Sequence, residues 1–319
     1  MSPAKKLNST FKGTTTMASS LLTNSAAMTA LQTLRSVSQN LQTTENRIST
    51  GQRVATASDN AAYWSIATSM RADNAALSAV SDSLGLSAAT VDTQYTALTT
   101  VLGSGGNSGL NKLEALLVEA KTAGIDRTKI QSEVTQIQQD MKNTANSATF
   151  NGVNWLSTNA TTPATVNLVS SFSRVGGTPT INSIQVTVAN YSLYTNTQGG
   201  ILDTVSGTSS IDTIDISALT DSAVDQTKLD GFIAQVTGAI NTVSQSAADL
   251  GAIKNRVQNN TDFVKSLMDS VTRGIGQLVD ADMNAESTRL QGLQVQQQLG
   301  VQALSIANQN SQSILSLFK

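Results

Sequence analysis

The chain has 319 residues, with 20 Lys+Arg against 22 Asp+Glu, a formal net charge of −2, no His and no Cys. Those absences exclude Cys/His zinc sites, His-dependent nucleophile pairs, haem ligated by either residue, and any disulfide. A charge near zero supplies no field to attract a polyanion, so nucleic acid is not an expected partner; charged residues at 13%, half the usual share of about 25%, leave a surface rich in Ser, Thr, Asn and Gln.

From the N-terminus, residues 1–16 carry Lys5, Lys6 and Lys12 but no apolar run of the ~7–15 residues that a secretory signal peptide needs. Met17-Ala18-Ser19 reads as a natural start, so 1–16 is expected to be a disordered, dispensable leader. No stretch reaches ~18 consecutive apolar residues, and no membrane insertion is expected. Residues 13–34 are charge-free, with Leu21, Leu22, Met28, Leu31 and Leu34 among Thr, Ser and Asn. A helical period then runs through Ile66, Met70, Leu77, Val80, Leu84, Val91, Tyr95, Leu98 and Leu102. Gly103-Ser104-Gly105-Gly106-Asn107-Ser108-Gly109 breaks it, since each glycine costs roughly 1 kcal/mol inside a helix. That run has no following Lys-Ser/Thr and is not a phosphate loop. Ile130, Val134, Ile137 and Met141 mark a shorter helix.

After Phe150-Asn151-Gly152 the helical period disappears. From Pro163 to Leu219 short alternating pieces, such as Ile184-Gln185-Val186-Thr187-Val188 and Ile214-Asp215-Ile216, stand between Gly176-Gly177, Gly199-Gly200 and Gly207, predicting a small β-rich insert. The longest pattern follows. Leu229, Val236, Val243, Leu250, Val257, Val264, Val271 and Leu278 stand seven residues apart, which predicts one long helix of coiled-coil type, roughly 75 Å at 1.5 Å per residue. Residues 290–318 then contain no charged side chain, yet carry Leu293, Val295, Leu299, Val301, Leu304, Ile306, Ile314, Leu315, Leu317 and Phe318 among glutamines and asparagines. A lone helix of this kind buries little while its backbone ordering costs about 1–2 kcal/mol per residue. Burial against a partner returns about 1.5–3 kcal/mol for each aliphatic side chain, and neutral neighbours add no charge-desolvation cost. Both ends are therefore expected to order inside a multi-chain assembly.

Catalytic signals are weak. Ser58-Asp59-Asn60 matches one element of the penicillin-binding signature, with Ser2-Pro3-Ala4-Lys5 and Ser9-Thr10-Phe11-Lys12 spelling another, but Lys-Thr-Gly is missing. Asp280, Asp282 and Glu286 lie at a spacing that scatters them round a helix, which predicts a solvated face rather than a cation site. Trp64 and Trp155 are isolated and read as packing or turn anchors. No enzyme, cofactor or metal is expected.

Three blocks carry a family resemblance. Asn46-Arg47-Ile48-Ser49-Thr50-Gly51-Gln52-Arg53-Val54, followed by Ala57-Ser58-Asp59-Asn60-Ala61-Ala62 and Ile66-Ala67, is similar to the N-terminal signature of bacterial flagellin. Leu250-Gly251-Ala252-Ile253-Lys254-Asn255-Arg256-Val257 resembles an element of its C-terminal rod, and Ala303-Leu304-Ser305-Ile306-Ala307-Asn308-Gln309 through Lys319 its C-terminal core helix. The Tyr63-Trp64 pair and the length look most like flagellins of soil and plant-associated alphaproteobacteria.

The resemblance implies a mainly α fold: long antiparallel coiled-coil-like helices from both termini forming a rod, with the small central β-rich insert. It implies a terminal helical core of 17–57 with 285–319, ordered on assembly, and a helical rod of 58–160 with 221–284. The variable outer insert would be 161–220. The implied function is a secreted, extracellular subunit that self-polymerises into the flagellar filament used for swimming, with a hook-filament junction protein or a secreted coiled-coil adhesin as alternatives. Leu21, Leu22, Met28, Leu31, Leu34, Leu299, Leu304, Ile306, Ile314, Leu315, Leu317 and Phe318 would form the self-assembly core, and the heptad residues would pack the rod. Implied partners are further copies, the flagellar type III export apparatus and its chaperone, filament cap and hook-junction proteins, and flagellin paralogues. The segment seen by the animal flagellin receptor aligns with Leu110–Leu116. Lys112, Glu114 and Ala115 stand where strongly stimulating relatives carry two arginines and a glutamate, so weak recognition is implied; lysine cannot make the bidentate bonds of arginine, and Glu114 reverses the charge. In the segment read by the plant receptor, Thr44 through Ala67, Asn60 and Tyr63 likewise depart from the family pattern.

Overall fold

Only three prolines interrupt a chain whose apolar residues recur every three to four positions, so helix is the default backbone. A computed structural model describes residues 24–316 except 104–105, 107, 160–161, 176–177 and 206–208, with no side chain described at 175 or beyond 309. The elements in chain order are α1 (Ser25–Thr50), α2 (Ala61–Leu102), α3 (Gly109–Glu119), α4 (Arg127–Ser147), β1 (Ser157–Thr158), β2 (Thr165–Val175), β3 (Thr178–Thr187), β4 (Tyr194–Thr195), α5 (Ala223–Val279) and α6 (Met283–Ser316). The expected leader at 1–16 lies outside the described residues.

Local chemistry sets the helix boundaries. Asn24 Oδ1 accepts from Ala27 N at 3.0 Å to start α1, and Gly51, at φ 69°, stops it in the left-handed region. Asn60 Oδ1 accepts from Tyr63 N at 3.1 Å to open α2. Gly109 begins α3 at φ 62°, where a Cβ would collide with the Val101 carbonyl, so the return from α2 requires glycine. The predicted long helix is α5, of 57 residues; it stops at Val279, and Asp282 Oδ1 accepts from Asn284 N at 2.9 Å and Ala285 N at 3.2 Å to begin α6.

The chain divides into two compact units, Met1–Ser69 with Gly274–Lys319, and Met70–Arg273. In the second, α2 and α5 run antiparallel, with Asn74 beside Thr272 at one end and Asp92 paired with Lys254 further along. Leu77, Leu84, Val91 and Leu98 of α2 are buried, as are Leu229, Val236, Val243, Leu250, Val257 and Val264 of α5, while Val271 is half-buried against the same core. The short helices add Leu110, Leu113 and Leu117 from α3 and Val134 and Met141 from α4. Trp155 is fully buried, its ring 6.4 Å from that of Tyr191, and its backbone N–H donates to Gln94 Oε1 at 3.2 Å.

Among the described residues the named strands of the insert end at Thr195. β2 and β3 form an antiparallel hairpin with an irregularity between Val169 and Ser171, and β1 pairs parallel with β4. Along β3 and just past it, Ile184, Val186 and Val188 are buried and Gln185 and Thr187 exposed, as alternation predicts. The expected strand at Ile214-Asp215-Ile216 is corrected: this segment is irregular, although Ile214 and Ile216 are buried and Asp215 is exposed. Its backbone is satisfied by glutamines of α4 instead of a neighbouring strand. Gln138 Nε2 donates to the Ile211 and Ile214 carbonyls at 2.8 and 3.2 Å, and Gln131 Oε1 accepts from Ile216 N at 2.8 Å. Arg127 latches the end of the insert: its Nη1 reaches the Leu219 carbonyl at 3.1 Å and its Nη2 the Asp221 carboxylate at 2.6 Å.

Candidate self-assembly surface

In the first unit α1 and α6 pair antiparallel. At one end Asn24 Nδ2 donates to the Ala307 carbonyl at 2.9 Å; further along, Leu34 lies close against Gly300, and Arg47 Nη1 donates to Glu286 Oε1 at 3.0 Å. Where α1 ends and α6 begins, Gln52 and Asp280 form an antiparallel bridge, Arg53 N donates to the Val279 carbonyl at 2.6 Å, and Ala281 N donates to the Gly51 carbonyl at 3.0 Å. Val54 and Val279 are buried and Leu278 is half-buried beside this crossing.

One stripe of each helix faces the other. On α1 it holds Leu34, half-buried, with Val37 and Thr44 buried; on α6 it holds Glu286 and Leu293, both buried, with Leu304 half-buried. Other large apolar side chains of the two helices are exposed. Met28 is 63% exposed and Leu31 38% on α1; on α6 Leu299 is 58% and Ile306 66% exposed, with Val295 and Val301 also exposed. Val295, Leu299 and Ile306 follow one another at four and seven residues, so they share a single face of α6. That helix therefore has two apolar faces, one closed by α1 and one open. Leu21, Leu22, Leu317 and Phe318 lie outside the described residues, as do the side chains of Ile314 and Leu315.

The other singled-out residues lie elsewhere. Lys112, Glu114 and Ala115 sit on α3. Lys112 is half-buried and 3.9 Å from Glu133, Glu114 accepts from Thr237 Oγ1 at 2.7 Å, and Ala115 is exposed. Ser58-Asp59-Asn60 is a helix start and not a catalytic element: Asp59 Oδ2 accepts from Thr56 N at 2.9 Å, Thr56 Oγ1 at 3.1 Å and Ala55 N at 3.1 Å. Those bonds, chiefly from the Thr56 backbone, hold its carboxyl below the ordinary value. Both S-x-x-K matches lie outside the described residues.

The expected solvated face at Asp280, Asp282 and Glu286 is corrected at Glu286, which is only 8% exposed and paired with Arg47. The three do not share one helix, because α5 ends before Asp280 and Asp282 precedes α6. Nothing in local spacing marks Arg47 and Glu286 as partners 239 positions apart. The available hint was that Glu286 and Arg289 are the last charges before the neutral run, and an isolated carboxylate on a helix seam needs a cation opposite.

The sequence matches two family models, the bacterial flagellin N-terminal helical region at residues 21–161 and the bacterial flagellin C-terminal helical region at 233–318. Neither covers 162–232, where the β2–β3 hairpin lies. The chain is 45% identical over 323 residues to flagellin C of Rhizobium meliloti (strain 1021), an alignment covering 94% of this chain and 99% of the relative. It is 43% identical to a flagellin of Brucella melitensis, with 94% and 99% covered, and 37% identical to flagellin A of Rhizobium meliloti (strain 1021), with 94% and 100% covered. Among the described residues no helix is long and apolar enough to cross a membrane.

Proposed function

The chain belongs to the bacterial flagellin family, and from that premise we propose how its own residues build a filament. It is a structural, non-enzymatic subunit of the extracellular flagellar filament and self-assembles into it. The self-assembly core comprises Leu21, Leu22, Met28, Leu31, Leu34, Leu299, Leu304, Ile306, Ile314, Leu315, Leu317 and Phe318. Among these, Leu34 and Leu304 close the α1/α6 seam, while Met28, Leu31, Leu299 and Ile306 meet neighbouring copies. One observation carries this reading: Val295, Leu299 and Ile306 stand exposed on a helix segment without a charged residue. Covering each such side chain contributes about 1.5–3 kcal/mol, and repetition over many subunits in a head-to-tail contact that does not close gives an open helical polymer.

Residues 17–57 with 285–319 form the part that orders on assembly. The heptad residues Leu229 through Val271 pack the helices of 58–160 with 221–284, while Leu278, the last of the series, lies beside the α1/α6 crossing, and 161–220 faces outward. The further partners are the export apparatus and its chaperone, the cap and hook-junction proteins, and flagellin paralogues. A chain without cysteine suits export unfolded, because no disulfide can form en route. Recognition by the animal flagellin receptor is weak, supported by the engagement of Lys112 with Glu133 and of Glu114 with Thr237 on the chain's own helices.

The test is Leu299→Asp in the full-length chain. The charge is solvated in the free subunit but desolvated in the polymer. We expect unchanged circular dichroism of the monomer and no filaments by negative-stain electron microscopy. Filaments of wild-type length would overturn the assignment.

A further inference from the structure

Covered residues of the α1/α6 pair recur at alternating steps of three and four. Ala30, Leu34, Val37, Leu41 and Thr44 on α1 are buried or half-buried, as are Leu290, Leu293, Gln297, Gly300 and Leu304 on α6. That is the seam of a two-stranded coiled coil, and each helix has two flanks beside such a seam.

One flank of the pair is marked by a groove of about 500 Å³, lined by Asn40, Thr43 and Arg47 of α1 and by Arg289, Gly292 and Gln296 of α6 among others. Leu299 and Ile306 follow Gly292 by one and two heptads, so they continue that flank along α6. Leu31 lies on the other side. It precedes Asn40 by nine residues, two and a half turns at ~3.6 residues per turn, which sets it half a turn round α1 from the groove. Met28 and Leu31 instead line a separate recess of about 580 Å³ with Gln32 and Arg35 among others.

The pair therefore carries two unlike apolar flanks, one built on α1 with Met28 and Leu31 exposed and one on α6 with Leu299 and Ile306 exposed. Charge does not oppose their meeting: Arg35 is the one charged residue between Lys12 and Glu45, and none lies between Arg289 and Lys319. An open helical polymer is built by contact between two different patches, whereas a patch that meets its own kind closes a two-fold dimer. A filament subunit thus needs two unlike surfaces, and the two flanks supply them.

We propose that these flanks are the two halves of one contact: the Leu299/Ile306 flank of one copy packs against the Met28/Leu31 flank of the next. The inference rests on the reading that these exposed side chains form the assembly surface, and it adds which of them meet across the boundary between copies.

The test places opposite charges on the two flanks of the full-length chain. One parent variant carries Met28→Lys with Leu31→Lys, the other Leu299→Glu with Ile306→Glu. All four positions are exposed, so the helical circular dichroism of the monomer should not change. Polymerisation at low ionic strength, followed by light scattering and negative-stain electron microscopy, should slow roughly tenfold or more in either parent, because an unpaired charge loses its water in the contact. A chain with all four substitutions brings lysine to glutamate at each contact and should recover roughly tenfold, losing that gain near ~1 M salt, where the Debye length is about 3 Å. The exchanged chain, with Met28→Glu and Leu31→Glu beside Leu299→Lys and Ile306→Lys, should recover alike, and lysine substitutions on both flanks should stay slow. If neither mixed-charge chain outpaces the chain with lysine on both flanks, the pairing is overturned and the assembly surface stands. Wild-type rates in the two parents remove the reading on which the pairing rests.

Discussion

Leu250 has no exposed surface in the core of the Met70–Arg273 unit, where it lies on α5 opposite the buried residues of α2. Leu250→Asp combines the lost packing of a buried aliphatic side chain with an unpaired carboxylate, and should cost about 4 kcal/mol or more. The expected readout is a large drop in the urea midpoint of the helical signal; a midpoint within error of wild type would show that this position is not a core position in solution. Leu299, also a leucine within an apolar helical period, has the opposite prospect because it is 58% exposed. Residue type and spacing are alike at the two sites. What separates them is whether another helix of the same chain covers the face, and that differs between α5 and α6.

At the scale of elements, α6 contributes only its inward stripe to the single chain. Deleting 290–319 removes Leu293 and Leu304 from the α1/α6 seam but touches none of the core residues of α2, α3, α4 or the Met70–Arg273 part of α5. The truncated protein should remain a helical monomer whose amides between Leu77 and Val101 and between Leu229 and Val264 exchange as slowly as in the full chain, and it should form no filaments. Retained filament growth would place the interface elsewhere, and loss of protection in those helices would show that the C-terminal helix stabilises the second unit. The insert is an element where pattern and backbone part company. The alternation at Ile214 and Ile216 was legible because burial is real there. The missing strand was not, because Gln131 and Gln138, more than 70 positions away in the chain, take the hydrogen bonds a ladder would have made.

Across the whole molecule the titrating groups bound the pH range of stability. Asp221 is held below its ordinary value of 3.8 first by its bond to Arg127 and then by the Gly124 N–H, and Asp225 first by the Thr220 hydroxyl and then by the Thr220 N–H. Asp215, held by Ser217, and Asp59, held by Thr56, shift the same way. The folded state binds protons less readily at these groups than the unfolded chain, so their contribution is present above pH 3.8 and is lost as pH falls below it. Tyr194 and Tyr191 shift upward, chiefly by burial, from an ordinary value of 10.0. Their contribution is present below pH 10.0 and is lost as the pH rises beyond it. With no His or Cys in the chain, stability between these limits should be flat, checked by melting temperature across pH 5 to 9. A marked slope within that range would contradict these assignments.

The amino-acid sequence by itself determined the helical periods of α2, α4 and α5, the neutral ends and the family, because each depends on the spacing of neighbours, on composition or on a local motif; the capping residues, α3 and the break between α5 and α6 emerged only with the structure. Helical period establishes which side chains share a face. Only the tertiary structure decided which face is covered: α1 closes the stripe of Leu293 and Leu304 and leaves Val295, Leu299 and Ile306 open. It also brought Arg47 to Glu286, partners 239 positions apart in the chain. The physical reason is common to both. Covering a face and pairing two distant charges depend on where another segment comes to lie, and chain separation along the sequence carries no record of that distance in space.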